Sequence, residues 1–323
     1  MIRRVAARAY ANIALVKYWG KQPGLLNSPA TPSISLTLDK LKTETIIECI
    51  DDDDDRFILN NKPADQASIN RLSEYLNFWR SNKFIEGKFL ITSSNNFPTK
   101  SGLASSSSGI AALAIGLSKF SERKINISKL SKLARIGSGS AARSIVGGMA
   151  ALPNTADPFA ILLIPPEKIP WGMVILEVDT AEKEISSRRG MELSREFSPY
   201  YAAWLDHAKK DYKMMLQAIK KFDFTQIGEI TEANALAMHA CMIATRPALI
   251  YWTQATINIL QAVKKWRKQG LECYATIDAG PHVAILARNA DLKKIGNRAK
   301  TLTGIKSVSV NNPGEGARVL EWS

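Results

Sequence analysis

Hydrophobic and polar positions alternate, with β-branched residues, in eight stretches that predict strands. These are residues 5–12, 33–38, 44–50, 88–93, 172–178, 272–277, 283–286 and 307–310. A longer apolar period predicts helices over residues 102–120, 128–134, 200–222, 225–241, 248–269 and 290–301. Strands dominate the first hundred residues and a helix pair follows them. The second half opens and closes with strands around long helices. The order is a mixed α+β pattern, without the strict strand–helix alternation of a doubly wound sheet. A boundary near residues 178–190 is expected, which divides the chain into units of residues 1–180 and 181–323. Asp51 to Asp55 lies between two strand-like stretches and is expected to form an acidic hairpin tip.

Composition narrows the class. The chain has 323 residues, 46% apolar and 23% charged, which suits two globular units and excludes wholesale disorder, collagen and a disulfide scaffold. No apolar run reaches the roughly 18–20 residues that span a bilayer. The opening Met-Ile-Arg-Arg carries no signal-peptide pattern, and Lys17 and Lys21 interrupt the first apolar stretch. Cys49, Cys241 and Cys273 are too scattered for a zinc site or a disulfide framework, so a reducing, cytoplasmic location is expected. The net charge of +13 admits nucleic acid or small anionic ligands. It is spread evenly: 22 basic and 14 acidic side chains over residues 1–170, and 21 and 16 over the rest. That distribution disfavours nucleic acid and leaves phosphate-bearing substrates open.

Five segments carry candidate chemistry. Asn95 to Gly109, with Pro98, Thr99, Lys100, Gly102, Leu103, Ala104, Ser105 and Ser106, puts a small-residue loop on the N-terminus of an apolar helix. Free backbone N–H groups and the helix dipole there favour an anion. Serine hydroxyls can donate to phosphate or help hold Mg²⁺. In the second segment, Ser138, Gly139 and Ser140 precede Ala141, Ala142 and Arg143. If Ser140 opens a helix, Arg143 lies on its first turn as a fork-shaped donor for carboxylate or phosphate. The third, Asn12 to Lys21, sets Lys17 and Lys21 around Tyr18, Trp19 and Gly20; it suits a phosphorylated substrate, or is an amphipathic edge with solvated lysines. The fourth places Asp278 at a strand end before Gly280-Pro281, as a general base, a positioning group or a turn former. The fifth, Ser186 to Met191, offers Ser187 and Arg188 to an anion, or is simply a basic loop.

Taken in order, these segments resemble the diphosphomevalonate decarboxylases of the GHMP kinase superfamily. The residues that carry the resemblance are Asn12 to Lys21, Pro98-Thr99 with Gly102 to Ser106, Gly137 to Ser140 with Arg143, Ser186 to Arg188 with Gly190-Met191, and Asp278 to Pro281. They span about residues 8–287. The resemblance implies a two-domain α+β fold of the GHMP-kinase type, with the active site in the cleft between an N-terminal ATP-binding unit and a second unit. It implies ATP and Mg²⁺ as cofactors and a homodimer; from the even charge and the lack of a long apolar run, neither nucleic acid nor membrane is expected as a partner. The implied reaction phosphorylates the 3-hydroxyl of (R)-5-diphosphomevalonate and then releases phosphate and CO₂. Relatives that act on 5-phosphomevalonate, or phosphorylate mevalonate without decarboxylation, are the alternatives; kinase-only relatives lose the Lys17 and Asp278 pair.

By carry-over, Asp278 orients or deprotonates the 3-hydroxyl, Lys17 stabilises it, and Arg143 holds the substrate carboxylate. Tyr18, Trp19, Gly20, Lys21, Ser138 to Ala142, Ser187 and Arg188 form the substrate site. Pro98, Thr99 and Gly102 to Ser106 cradle the ATP phosphates. The metal's ligands are not assigned. His282 stands where the family usually has Asn, and core or capping roles are expected for it and for His239. Lys100 replaces a small residue, and Arg71 is the nearest basic side chain to a segment where the family can supply one.

Overall fold

A computed structural model of the chain describes residues 2–22, 24, 26–97, 105–178 and 185–323. The order begins β1 (Arg4–Val16), β2 (Ser33–Ile50), β3 (Arg56–Leu59), β4 (Lys62–Pro63), α1 (Gln66–Ser81), β5 (Lys88–Asn95). It continues α2 (Ser105–Leu117), α3 (Ile127–Gly137), α4 (Ala141–Val146), β6 (Met149–Leu152), β7 (Ile161–Ile164). Then come β8 (Trp171–Val178), α5 (Ser187–Phe197), α6 (Tyr201–Lys221), α7 (Phe224–Ile243), α8 (Gln254–Lys268). The chain closes with β9 (Cys273–Ile277), β10 (Val283–Arg288), α9 (Leu292–Ala299), β11 (Ile305–Asn311) and β12 (Arg318–Trp322).

Two sheets form among the described residues. The first runs β12-β1-β2-β5-β3-β4, with β6 and β7 branching from the first half of β2. The second is antiparallel, β11-β8-β10-β9. The expected cut near residue 180 falls after β8. By pairing, β8 already belongs to the second sheet, while β12 returns to the first.

β1 is buried along nearly its whole length because α2 covers one face and α6 and α7 the other. Leu15, Leu36, Trp171, Met173 and Ile227 share one core between the sheets. Val174, Leu176 and Val178 point the opposite way, into the core beneath α8 and α9.

The predicted strands 33–38 and 44–50 are one continuous strand, β2. Its middle, residues 38–41, bulges out of the β1 pairing, which jumps from Thr37 opposite Asn12 to Lys42 opposite Tyr10; there Lys42 N–H donates to Asn96 Oδ1 (2.8 Å). The acidic run is not a hairpin tip. β3 pairs parallel with β5, so residues 51–55 cross over rather than turn back. Asp55 is buried; it accepts a bidentate pair from Arg80 (2.5 and 2.9 Å) and the Phe89 N–H (3.0 Å).

α1 was not read from the sequence. Asp65 caps it by accepting the Ser68 N–H, and Leu72, Tyr75, Leu76 and Trp79 bury one face. α8 starts at Gln254, later than expected, because Thr253 and Thr256 form a reciprocal capping box there.

Candidate active site

The site lies where β1, α4, α5 and the end of β9 meet. β1 stops at Val16, and Lys17 turns inward from its end, 1% exposed. Its ammonium reaches Asp278 Oδ1 at 2.6 Å, one residue past β9, where the carboxylate keeps 28% of its surface exposed. Burial pushes the Lys17 ammonium down from its ordinary range, and Asp278 pulls it back up. The lysine is thus enclosed by protein, while the carboxylate reaches solvent.

Ser140 is the residue before α4, so Arg143 does lie in the first turn of a helix, as its spacing suggested. The guanidinium is 1% exposed. Nε donates to Ser35 Oγ (2.8 Å), Nη1 to Ser33 Oγ (2.5 Å) and Nη2 to Asn12 Oδ1 (3.3 Å). Asn12 is itself fixed by donating to Ser144 Oγ (2.8 Å) and to the Ser140 carbonyl (3.1 Å). Three of the five N–H groups of Arg143 are therefore used by the protein. Burial lowers its pKa to about 10, with Asp278 and Tyr18 opposing, so it is a cation at neutral pH.

Tyr18 and Lys21 converge on Asn27. The Tyr18 hydroxyl donates to the Asn27 carbonyl (2.9 Å) and Lys21 Nζ to its side-chain oxygen (2.6 Å). Asn27 in turn donates to the Ile136 carbonyl (2.6 Å) at the end of α3. Gly139 is required here, since a Cβ would lie 2.3 Å from the Tyr18 hydroxyl. Burial, then the nearby Arg188, lower Lys21 to about 8.

Arg188 is exposed, in the first turn of α5, beside Ser187. The segment expected as a basic loop is a helix start, capped by Ser186 Oγ accepting the Arg189 N–H (3.3 Å). Gly190 lets α5 lie directly on Trp19, where a Cβ would come 2.9 Å from the indole. That contact brings Arg188 to Lys21. Trp19 itself is 2% exposed and packs with Met191 and Trp204. Its role is to seat α5, and its carbonyl accepts from the Trp204 indole N–H (2.8 Å). Ala141 and Ala142 are likewise buried packing residues. Ser138 Oγ lies 3.3 Å from the hydroxyls of both Ser106 and Ser140, so α2 and the 138–140 turn meet.

Pro98, Thr99, Lys100, Gly102, Leu103 and Ala104 lie outside the described residues, as does the Ser105 side chain. His239 is buried against Trp252, ring centroids 4.9 Å apart. Burial and Lys17 hold it down near 3, against the backbone of Ile277 and Asp278, so it is neutral. His282 Nδ1 accepts the Val178 N–H (3.0 Å). Arg71 donates to Ser68 on the exposed face of α1.

Sequence reasoning missed Ser33, Ser35 and Asn27. The signal for the serines was available: Ser33, Ser35 and Thr37 form the polar register of a strand whose other register is Ile34, Leu36 and Leu38, and both registers are buried.

Comparison with known proteins decides the family. Residues 9–158 match the family described as diphosphomevalonate decarboxylase-like N-terminal domain, and residues 173–313 the mevalonate 5-diphosphate decarboxylase C-terminal domain. The chain belongs to the diphosphomevalonate decarboxylase family. The Candida albicans diphosphomevalonate decarboxylase is 34% identical over 307 residues, 89% of this chain and 85% of that protein. The crystal structure of mevalonate diphosphate decarboxylase from Staphylococcus aureus superposes with a TM-score of 0.93 at 35% identity, covering 99% of each chain. A structure described as MDDEF in complex with MVAPP, AMPPCP and magnesium gives 0.91 at 35% identity, covering 99% of this chain and 100% of that one. The GHMP-type two-unit α+β fold is thus that of solved decarboxylases of this family. No helix among the described residues is long and apolar enough to cross a membrane.

Proposed function

We propose that the chain decarboxylates (R)-5-diphosphomevalonate in an ATP-dependent reaction, giving isopentenyl diphosphate, ADP, phosphate and CO₂. The observation that carries this reading is the 2.6 Å Lys17–Asp278 pair, with its cation buried and its carboxylate reaching solvent beside Arg143.

In this reading Asp278 takes the proton of the tertiary 3-hydroxyl as its oxygen attacks the terminal phosphoryl group. Phosphoryl transfer needs positioning and charge neutralisation more than covalent help. Lys17 orients Asp278 through a short charge-assisted bond. Arg143, fixed by Ser33, Ser35 and Asn12, holds the substrate carboxylate until it leaves as CO₂. Lys21, Arg188, Ser187, Tyr18, Ser138 and Ser140 hold the diphosphate end.

The nucleotide side fits α2. This 13-residue helix begins with serines, and its first-turn N–H groups favour phosphate. The exposed Ser106 hydroxyl would hold phosphate oxygens or magnesium. Magnesium bound with the nucleotide supplies charge neutralisation at the transferring group. Described MDDEF coordinates hold AMPPCP and magnesium together, which supports ATP with Mg²⁺ here. A homodimer and a cytoplasmic location belong to the same reading. They rest on the family resemblance and, for location, on three cysteines without disulfides; sedimentation tests the dimer.

The test follows ADP and CO₂ together from purified protein, ATP, Mg²⁺ and (R)-5-diphosphomevalonate. Equal release is expected. ADP without CO₂ would make the chain a 3-kinase, and equal or better turnover of 5-phosphomevalonate would change the substrate.

A further inference from the structure

Lys17 is the first residue past β1, so its amide has left the ladder in a place where water does not reach it. An amide there must find a partner inside the protein. It donates to Asn234 Oδ1 (2.8 Å), on α7. Asn234 is fully buried, and its Nδ2 donates to Asp211 Oδ2 (2.8 Å), on α6. Asp211 is also buried; from the solvent side, His207 Nε2 stands 3.1 Å from the same oxygen. The row thus runs from the catalytic lysine's backbone to the surface through two buried side chains.

We propose that Asn234, oriented by Asp211, is a positioning residue that fixes the backbone of Lys17 and thereby the meeting of its ammonium with Asp278. This deepens the reading above and rests on Lys17 being catalytic. A lysine side chain is long and has many rotamers, so a short ion pair at its tip demands a fixed root. Asn234 holds that root. A free carboxamide could present either end to the Lys17 N–H, and only its oxygen accepts. Asp211 Oδ2 receives the Asn234 NH₂ end at 2.8 Å, which turns the carboxamide oxygen toward Lys17. Both residues sit on helices packed against β1, a rigid support.

The experiment measures kcat and KM for Asn234→Ala, Asp211→Ala and Asp211→Asn, each also on a Lys17→Met background. Asn234→Ala and Asp211→Ala are expected to lower kcat at least tenfold, with KM for substrate and nucleotide within twofold of wild type. Asp211→Asn keeps an acceptor oxygen and is expected to stay within about threefold. On the Lys17→Met background, whose residual rate is measured first, Asn234→Ala should cost less than twofold, because its route to the chemistry is gone. If Asn234→Ala does not fold, the Asp211 pair decides by itself. The inference is overturned if Asn234→Ala turns over at the wild-type rate, if its loss falls on KM, if Asp211→Asn is as poor as Asp211→Ala, or if the losses are equal on both backgrounds. A Lys17→Met enzyme with near-normal kcat would instead sink the reading of Lys17 itself.

Discussion

Replacing Gly139 with alanine probes how tightly the turn before α4 is fitted to Tyr18. The new Cβ would stand 2.3 Å from the tyrosine hydroxyl, 2.4 Å from Cζ and 2.9 Å from Cε2. An unstrained contact needs about 3.5 Å, so the ring must retreat by roughly 1 Å. The hydroxyl then loses its 2.9 Å bond to the Asn27 carbonyl. A lost hydrogen bond of this kind is worth about 1 kcal/mol, or about fivefold. A misplacement near 1 Å in a substrate-positioning group costs up to about 10²-fold. The expected loss in kcat/KM for (R)-5-diphosphomevalonate therefore lies between about fivefold and about a hundredfold, carried mainly by KM. Initial rates of ADP release measure it, beside a melting curve that checks folding. Tyr18→Ala removes the obstructing ring, so Gly139→Ala added to it should cost less than twofold. Wild-type kcat/KM in Gly139→Ala, or an equal loss on both backgrounds, would refute the argument.

Asp278→Ala should lower kcat by far more than it raises KM, and steady-state kinetics at saturating ATP measure both. Arg143→Lys should lose at least tenfold in kcat/KM, because an ammonium cannot replace a guanidinium braced by Ser33, Ser35 and Asn12 while still presenting two donors. Lys21 is held near 8, so its charge is lost as pH rises through that value. Substrate kcat/KM should fall over the same range, and Lys21→Arg should carry the fall to higher pH. Asp55→Ala should destabilise by about 3 kcal/mol, read by urea titration, since it strands Arg80 and the Phe89 amide; the activity of the folded protein should be unchanged.

The sequence was informative where one period ran unbroken. β5, β8, β10 and the long helices α6 and α7 lie within a few residues of their predicted bounds: β5 alternates as its burial does, and β8 and β10 are short apolar runs buried on both faces. It was misleading where partners decide. Nothing within residues 44–59 says that β3 pairs parallel to β5 and not back onto β2; that choice is made by Asp55 and Arg80, 25 positions apart. Lys17, Asp278, Arg143 and Lys21 could be singled out as candidates because charged residues at strand and helix ends stand out, and the structure joins Lys17 to Asp278 and Lys21 to Asn27. Asn27 and Asn234 were not. Each is an ordinary residue in its own segment, and its importance comes from contacts 109 and 217 positions away. Trp19, expected among the substrate-binding residues, is buried with Met191 and Trp204 and seats α5.

β12 joins the first sheet beside β1, although some 300 residues separate them, and Ser323 N–H closes the pairing on the Arg4 carbonyl (2.9 Å). On the ribosome this order has a cost in time. β1 and β2 are made early, but the outer edge of β1 stays open until residues 318–322 have been made and can pair with it. At roughly 5–20 residues per second, the interval is on the order of 15–60 seconds. Throughout it, the Val5–Arg8 stretch of β1 offers unpaired backbone to any neighbour. Removal of residues 318–322 should turn that passing exposure into a permanent one, visible as aggregation during synthesis.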